Sequence, residues 1–246
     1  MLYAILLDRP KNKNNLNPAL FNIIMTMKIT KFAQSCVLIE TNGKRILIDP
    51  GYLQYKESYP EKEWKNIDIL LVTHKHGDHC HVDAIKEIVK NSKTKFYSTK
   101  EVADAYPELS LEIVKENDVL TFDNIKIEVV KAVHGYIPLL KGGKEIYENV
   151  GFIIDDGNKR VYQTSDTICF KNDYKCDVLF VPVVNHGLVM SSWEASLFAK
   201  ETGAKLVIPI HYDNPSHPAN FEQIEKDFNG QGLNFKFLKI NETIEV

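Results

Sequence analysis

Three histidines and one aspartate fall within six consecutive residues of this sequence. They are His74, His76, Asp78 and His79, spaced as H-x-H-x-D-H. Histidine is the commonest transition-metal side-chain ligand in proteins, and aspartate adds a hard oxygen donor. The spacing therefore predicts a metal site. The alternative is a polar His-rich loop that binds no ligand, and further ligands elsewhere in the chain would decide between the two.

Three more candidate ligands each follow a predicted strand. They are His134 after the predicted strand 125–133, Asp166 after 160–164 and His211 after 206–210. Each one alone would be an ordinary polar residue at the start of a loop. Together with the cluster they supply seven donors, which is enough for two metal ions with an open position for water or substrate.

The elements that must position these side chains alternate between strand and helix. Apolar patterning predicts strands at 28–32, 36–40, 44–49, 69–72, 95–98, 111–114, 119–122, 125–133, 150–155, 160–164, 178–184, 206–210 and 235–238, and helices at 82–90, 100–106, 193–202 and 221–228. Asn42-Gly43 predicts a two-residue hairpin turn. The His/Asp cluster thus occupies a strand-to-helix loop, and the chain reads as one α/β domain with mixed sheets.

The composition is that of a soluble globular protein, with 246 residues, 44% of them hydrophobic and 26% charged. The formal net charge of -3 argues against long nucleic acid as a partner, and no block of like charge indicates a membrane surface. Four cysteines without a C-x-x-C pair favour free thiols in a reducing compartment. We therefore expect a cytoplasmic protein.

The first 26 residues differ from the rest of the chain. An apolar start, 1–7, leads into a polar run, 11–15, without the basic region and small-residue cleavage site of a signal peptide. The apolar stretch is also too short to span a bilayer. We expect residues 1–26 to be an extension outside the core and residues 27–246 to form the domain.

The order of the motif at 73–79, then His134, Asp166 and His211, resembles the metallo-β-lactamase superfamily. The resemblance covers residue 27 to the C-terminus and extends to the segments 46–51, 162–167 and 208–213. Within the superfamily, the short chain and the Pro-Ile-His-Tyr ending look most like the bacterial metal-dependent hydrolases related to L-ascorbate-6-phosphate lactonase. The resemblance implies an α/β fold, a four-layer αβ/βα sandwich of two mixed sheets flanked by helices, with the metals at one edge.

The resemblance also implies a role for each candidate ligand. His74, His76 and His134 would bind a first metal, Asp78, His79 and His211 a second, and Asp166 would bridge the two. Asp78 would also orient the nucleophile, and Asp49 would hold the site through hydrogen bonds to the ligands. The implied cofactors are two divalent metal ions. The His-rich donor set favours Zn²⁺, and Mn²⁺ or Fe²⁺ would also fit.

Loops near the ligands are the candidates for substrate contacts. His186, Asn185 and Tyr212 follow or precede predicted strands and could face the site. The stretch 136–148, with Lys141 and Lys144, could be a cationic lid, or an ordinary solvated Gly/Lys loop.

The leading hypothesis is a metal-dependent hydrolase of a small molecule. A hydroxide held by both metals would attack a lactone, ester or phosphoester. One alternative is a phosphodiesterase or small nuclease with the same dimetal site. The other is a non-catalytic, metal-binding sensor module. The sequence leaves open the substrate, the metal and whether the chain forms a homo-oligomer.

Overall fold

The computed structural model describes residues 26–54, 64–90, 93–138, 141–142, 144–184 and 186–246. Its strands are β1 Lys28–Lys31, β2 Val37–Thr41, β3 Lys44–Ile48, β4 Ile69–Leu71, β5 Lys95–Ser98, β6 Glu112–Ile113, β7 Val119–Phe122, β8 Ile125–Lys131, β9 Val150–Asp155, β10 Arg160–Gln163, β11 Val178–Pro182, β12 Leu206–Ile210 and β13 Glu242–Glu245. Four helices have described bounds, α1 Val82–Val89, α2 Lys100–Ala105, α3 Ser192–Thr202 and α4 Phe221–Gly230.

These strands form two mixed sheets. The first has the order β13-β1-β2-β3-β4-β5-β6 and the second the order β12-β11-β10-β9-β8-β7. In the first sheet, β3 to β6 are parallel and the remaining pairs antiparallel. In the second, β10 to β12 are parallel and β7 to β10 antiparallel. Because parallel strands end at the same edge, both sheets bring several strand ends together there.

The apolar core lies between the two sheets, and a layer of helices covers the outer face of each sheet. In β3, Ile46 and Ile48 face the other sheet, while Leu47 packs toward α1 on the outside. This alternation follows from the two-residue period of a strand. The second sheet packs α3 and α4 on its outer face in the same way, through Phe198 and Phe228. The predicted four-layer sandwich is confirmed.

Local signals account for the element boundaries. Asn42 and Gly43 both have positive φ, 48° and 73°, as the predicted tight hairpin between β2 and β3 requires. Ser191 and Glu194 form a reciprocal capping box at the start of α3, and Gly203 ends the helix in the left-handed conformation at φ 68°. The apolar strand β11 is buried along its whole length, as predicted.

The C-terminal strand differs from the prediction. Residues 235–238 form no strand, because Phe235 makes a single bridge to Val207 and its ring packs into an aromatic cluster outside the second sheet. The last strand is β13 instead, which pairs antiparallel with β1. Glu242–Glu245 lies at the edge of its sheet and alternates half-buried with exposed residues, so no apolar run marks it in the sequence.

Three further expectations concern the N-terminus, the cysteines and membrane-spanning segments. Residues 1–25 lie outside the described part of the chain, so the N-terminal extension remains a prediction. All four cysteines are free, as expected. Among the described helices, none is long and apolar enough to cross a membrane.

Candidate metal centre

The candidate ligands of both sheets converge because each follows the end of a strand. Asp49 follows β3, the His/Asp cluster follows β4, His134 follows β8, Asp166 follows β10 and His211 follows β12. Strand ends position loop side chains on a rigid scaffold. Residues that are far apart in sequence therefore meet at one edge of the sandwich.

The structure gathers the seven predicted ligands into two groups. The first metal group is His74, His76 and His134, and the second metal group is Asp78, His79, Asp166 and His211. Within each group the ligand atoms all lie within 4.8 Å of one another. The resemblance implies the same two groups with Asp166 as a bridge, whereas by distance Asp166 falls in the second group.

His74 has one ring nitrogen held from outside and the other facing the cluster. The Thr73 hydroxyl donates to Asp49 Oδ2 at 2.9 Å, so it accepts from His74 Nδ1, which lies 3.1 Å away. His74 Nε2 is buried and has no hydrogen-bond partner. Holding the outer nitrogen fixes the ring and leaves the lone pair of Nε2 available to a metal.

His79 shows the same division between its two nitrogens. Its Nδ1 lies 2.8 Å from Asp49 Oδ2, and both side chains are fully buried. Its Nε2 lies 3.2 Å from Asp166 Oδ1, and both atoms are buried without a hydrogen-bond partner. Two buried polar atoms left without a hydrogen bond call for a partner, and a shared metal ion would supply one.

Asp166 touches both metal groups. Its Oδ2 lies 3.1 Å from His211 Nε2 and 3.9 Å from His134 Nε2. His134 donates from Nδ1 to Gly135 O at 2.7 Å, and its Nε2 is buried without a partner. A carboxylate between the groups is placed where a bridging ligand would be needed.

These unpartnered atoms fit a pair of metal ions. A buried polar atom without a hydrogen bond costs free energy, and such atoms are rare in folded proteins. Here the ring nitrogens of His74, His79 and His134 and one oxygen of Asp166 are all buried, unpartnered and directed at the same region. The donor set of imidazoles and carboxylates suits first-row divalent metals such as Zn²⁺.

The electrostatics of the centre also favour a cation. Burial by itself would lower the pKa of His79, but Asp166, Asp49 and Asp78 together raise it well above its usual value. Burial would likewise raise the pKa of Asp166, yet His211 and His79 hold it well below the usual range. Burial lowers the pKa of His74 and of His134 in the first metal group, which keeps both rings neutral, as metal ligands must be. The carboxylates that stabilise a proton on His79 would stabilise a metal ion in place of that proton.

The segment 144–149, the site strap, bonds to residues of the centre at both of its ends. Its Lys144 carbonyl lies 2.9 Å from His76 Nε2, so this nitrogen donates to the backbone and Nδ1 is left to face the first metal group. At its other end, Asn149 donates to Asp166 O at 2.5 Å and accepts from the Ser165 hydroxyl at 2.7 Å. The strap thus supports one residue of each group.

Glu101, at the start of α2, holds the middle of the strap. Its Oε2 accepts from the backbone N–H groups of Tyr147 and Glu148 at 3.0 and 2.9 Å. Its Oε1 lies 2.7 Å from Lys75 Nζ, and Lys75 sits between two of the predicted ligands. One carboxylate therefore ties the strap to the His/Asp cluster.

The residues predicted to contact substrate lie in different surroundings. His186 lies at the centre, with its ring 5.5 Å from that of His211 and its Nδ1 buried without a partner. The Tyr212 hydroxyl donates to Leu238 O at 2.5 Å, and its ring packs against Phe221 and Phe237, so a contact between Tyr212 and substrate stays a prediction. Asn185 lies outside the described residues. Lys141 and Lys144 are exposed.

Several residues of the centre were not identified by sequence reasoning. These are Gln34, Glu101, Asn149 and Ser165. Each acts through a contact with a residue distant in the chain, so no local spacing marks it. Ser165 had one signal in the sequence, its position directly before a predicted ligand, and the structure adds a positive φ of 65°.

Comparison with known proteins agrees with this geometry. Residues 28–211 match a family model described as a beta-lactamase superfamily domain. A metal-dependent hydrolase of Korarchaeum cryptofilum is 30% identical over 225 residues, which cover 87% of this chain and 96% of that protein. A metal-dependent hydrolase of Anoxybacillus flavithermus is 29% identical over 232 residues, covering 89% of this chain and 100% of that protein.

A solved structure shows the same fold. The metallo hydrolase from the archaeon Ignicoccus hospitalis superposes with a TM-score of 0.72 at 24% identity, covering 90% of this chain and 98% of that one. At this identity the solved structure shows that the fold is shared. The family model and the two relatives show that the sequence is related as well. The chain belongs to the metallo-β-lactamase superfamily, in the group whose members are named metal-dependent hydrolases.

Proposed function

We propose that this chain is a dinuclear metal-dependent hydrolase that cleaves a lactone, ester or phosphoester of a small molecule. The observation that carries the proposal is the pair of adjacent ligand groups, with Asp166 in contact with both. When bound, two adjacent divalent ions activate a water, polarise a carbonyl or phosphoryl group and stabilise the leaving oxygen. The residues of the chain bind the ions, fix their separation and orient the reacting groups.

Asp78 is the residue best placed to orient the attacking water. Its side chain is 20% exposed, whereas the side chains of His79 and Asp166 are 0% and 4% exposed. His76 and Gly77 beside it are also accessible to solvent. An ionised carboxylate at this opening accepts a hydrogen bond from the water and directs its oxygen at the substrate.

The charge balance of the centre favours an electron-rich acceptor oxygen. The two groups hold five imidazoles but only two carboxylates, Asp78 and Asp166. Two divalent ions would therefore leave an excess of positive charge at the open side. Carbonyl and phosphoryl oxygens, which gain negative charge as a nucleophile adds, are the groups that such a site stabilises.

The surroundings of the opening favour a small substrate. The site strap bonds to His76 on one side, and the 186–188 loop lies against Gly135 on the other. An added Cβ at Gly135 would lie 2.3 Å from Gly187 O, so the two loops are in close contact there. His186, half-buried beside His211, is the residue placed to meet the substrate from that side.

A panel of hydrolysis assays tests the proposal. The protein, loaded separately with Zn²⁺, Mn²⁺ or Fe²⁺, is assayed against lactones, carboxylic esters, phosphomonoesters and phosphodiesters, with and without chelator. We expect turnover that chelator abolishes and that Asp78→Asn lowers by about 100-fold or more. Asp123→Asn, an exposed aspartate outside the centre, is the matched control and retains activity. Two bound metals without turnover of any substrate would overturn the proposal.

A further inference from the structure

A buried ion pair lies behind the metal centre and belongs to neither metal group. Lys31 Nζ lies 2.5 Å from Asp213 Oδ2 and donates to Phe32 O at 2.9 Å. The Lys31 side chain is fully buried, and that of Asp213 is 10% exposed. Because a buried ion pair often adds little net stability, what this pair holds in place is more informative than its own energy.

Asp213 holds Gln34 through two further bonds. Its Oδ2 accepts from the Gln34 backbone N–H at 2.9 Å, and its own backbone N–H donates to Gln34 Oε1 at 3.2 Å. Since the amide oxygen of Gln34 is taken by a backbone donor, the amide nitrogen must point the opposite way. The backbone N–H of Asp213 therefore sets the direction of the Gln34 amide, and the ion pair with Lys31 holds Asp213 in place beside it.

Those N–H groups face the second metal group. Gln34 Nε2 lies 3.5 Å from Asp78 Oδ2 and 3.3 Å from His211 Nε2. Gln34 is fully buried, so water does not compete for its two donors. The Asp78 carboxylate can accept a hydrogen bond from this nitrogen. His211 Nε2 lies beside the Asp78 and Asp166 carboxylates and is the nitrogen that a metal would take, so its contact with Gln34 is one of packing.

The backbone on both sides of this contact is strained. Gln34 has φ 56° and His211 has φ 63°, a left-handed conformation that is uncommon for residues other than glycine. The two residues are also joined by a backbone hydrogen bond from His211 N to Gln34 O at 3.4 Å. Such conformations persist only where the surroundings impose them, and they cluster at functional sites.

We propose that Gln34 is a positioning residue of the second metal group, holding Asp78 through its amide, and that the Lys31–Asp213 pair is the clamp that fixes Asp213 beside this amide. The proposal rests on the metal centre proposed above. A hydrogen bond donated to a metal-binding carboxylate fixes the rotation of that carboxylate and so the orientation in which it binds the metal. Gln34 thereby acts on the metal through Asp78 and does not touch the substrate.

Replacing Gln34 by leucine removes the donors while keeping a similar volume. Metal-free Gln34→Leu is titrated calorimetrically with Zn²⁺, alone and without substrate. We expect the affinity for one of the two ions to fall about 10- to 100-fold, the usual effect of removing a partner of a metal ligand, and the other to stay unchanged. Gln34→Met, which is unbranched and closer in shape, gives the same readout if the leucine variant does not fold.

Gln54, which follows β3, provides a matched control because it holds the same loop through Ala33. It is also buried, and its Oε1 accepts from Ala33 N at 2.9 Å, while its Nε2 faces Asn241 Oδ1 at 3.5 Å and not the metal centre. Gln54→Leu should leave both affinities unchanged. If Gln54→Leu weakens Zn²⁺ as much as Gln34→Leu, general anchoring of the loop is responsible and the positioning role is wrong.

The clamp is tested by a double-mutant cycle. Lys31→Met with Asp213→Asn removes the ion pair without leaving one charge buried. Introduced into the wild type, this double change should weaken the same ion as Gln34→Leu, and it should add little in the Gln34→Leu background. Additive effects would overturn the clamp. If the wild type binds fewer than two ions, the proposed metal centre itself fails, whereas two ions with an unchanged Gln34→Leu refute only the role of Gln34.

Discussion

The Asp49 carboxylate accepts a hydrogen bond from His79 Nδ1 at 2.8 Å, and neither side chain is exposed to solvent. The same carboxylate accepts from Thr73 N and from the Thr73 hydroxyl, which in turn holds His74. Asp49 therefore orients one histidine of each metal group without being a ligand itself. A carboxylate in this position fixes the ring and makes the metal-binding nitrogen more basic.

Asp49→Asn should therefore weaken metal binding while leaving the ligand set intact. We expect an affinity loss of about 10- to 100-fold, measured by titration of the metal-free protein with Zn²⁺. Asp156→Asn is the matched control, because Asp156 is also buried and accepts from a threonine hydroxyl, that of Thr41, away from the centre. Equal metal affinities of the two variants would refute the role of Asp49.

Glu101→Gln should loosen the site strap. The carboxylate of Glu101 accepts from two strap amides and pairs with Lys75, and hydrogen bonds to charged groups contribute about 1.5–3 kcal/mol each. We expect the amide hydrogens of Tyr147 and Glu148 to exchange at least about 10-fold faster in the variant. Exchange unchanged from the wild type would show that the strap is held by other contacts.

The comparison variant for Glu101→Gln is Glu108→Gln. Glu108 pairs with Lys86, and both side chains are 47% exposed. Removing such a surface pair has little effect on stability. We expect strap exchange and activity to remain at the wild-type level in Glu108→Gln, which separates the loss of the strap contacts from the loss of a negative charge.

Gly51→Ala should disrupt the loop that carries the cluster. A Cβ at Gly51 would lie 1.7 Å from the Asp78 carbonyl oxygen, which is backbone and has no room to move. We expect destabilisation beyond the roughly 1–3 kcal/mol of ordinary overpacking, seen as a lower Tm, and reduced metal content. Gly230→Ala, in α4 with open space around the new Cβ, should not lower Tm. A Gly51→Ala variant with wild-type Tm would contradict this packing.

The stabilisation by metal should grow as the pH rises. Burial acts to lower the pKa of His211. The neighbouring Asp166 and Asp78 carboxylates outweigh this effect and raise that pKa to about 9. A raised folded-state pKa contributes stability that is complete below the unfolded value of about 6.5 and is lost as the pH passes 9. The metal-free protein should thus lose the stability that protonated His211 contributes as the pH rises from about 6.5 to 9. Over the same range the metal binds more tightly, because it needs a neutral imidazole.

Melting curves of metal-free and Zn²⁺-loaded protein across this pH range measure the effect. The expected result is a difference in Tm that widens from pH 6 to pH 9. Binding to the folded state alone stabilises by about 2.7 kcal/mol at a hundredfold excess over Kd, so the shift should be readily detected. A Tm difference that narrows with rising pH would contradict the assignment of His211 to a metal site.

The sequence alone was sufficient to predict the candidate ligands that follow apolar strands. The run before the His/Asp cluster and the runs before His134, Asp166 and His211 each form a strand of the sandwich. An apolar run with a polar residue at its end is a local pattern, so it is readable without the fold.

Contacts between distant segments could not be read in this way. Gln34 meets Asp78 across 44 positions and Glu101 meets Tyr147 across 46, and neither pair has a spacing that recurs in the chain. The edge strand β13 was missed because its sequence, Glu-Thr-Ile-Glu, carries a single apolar residue. Tertiary pairing with β1 determines this strand, not its own propensity.

The number of metal ions bound by two single variants tests the central assignment most directly. His74→Ala removes a ligand of the first metal group, His79→Ala one of the second, and His217→Ala changes a histidine beside His186 that belongs to neither. Elemental analysis after loading and desalting should find two ions in the wild type and in His217→Ala, and about one in each ligand variant. Fewer than two ions in the wild type, or two retained in both ligand variants, would contradict the dinuclear centre.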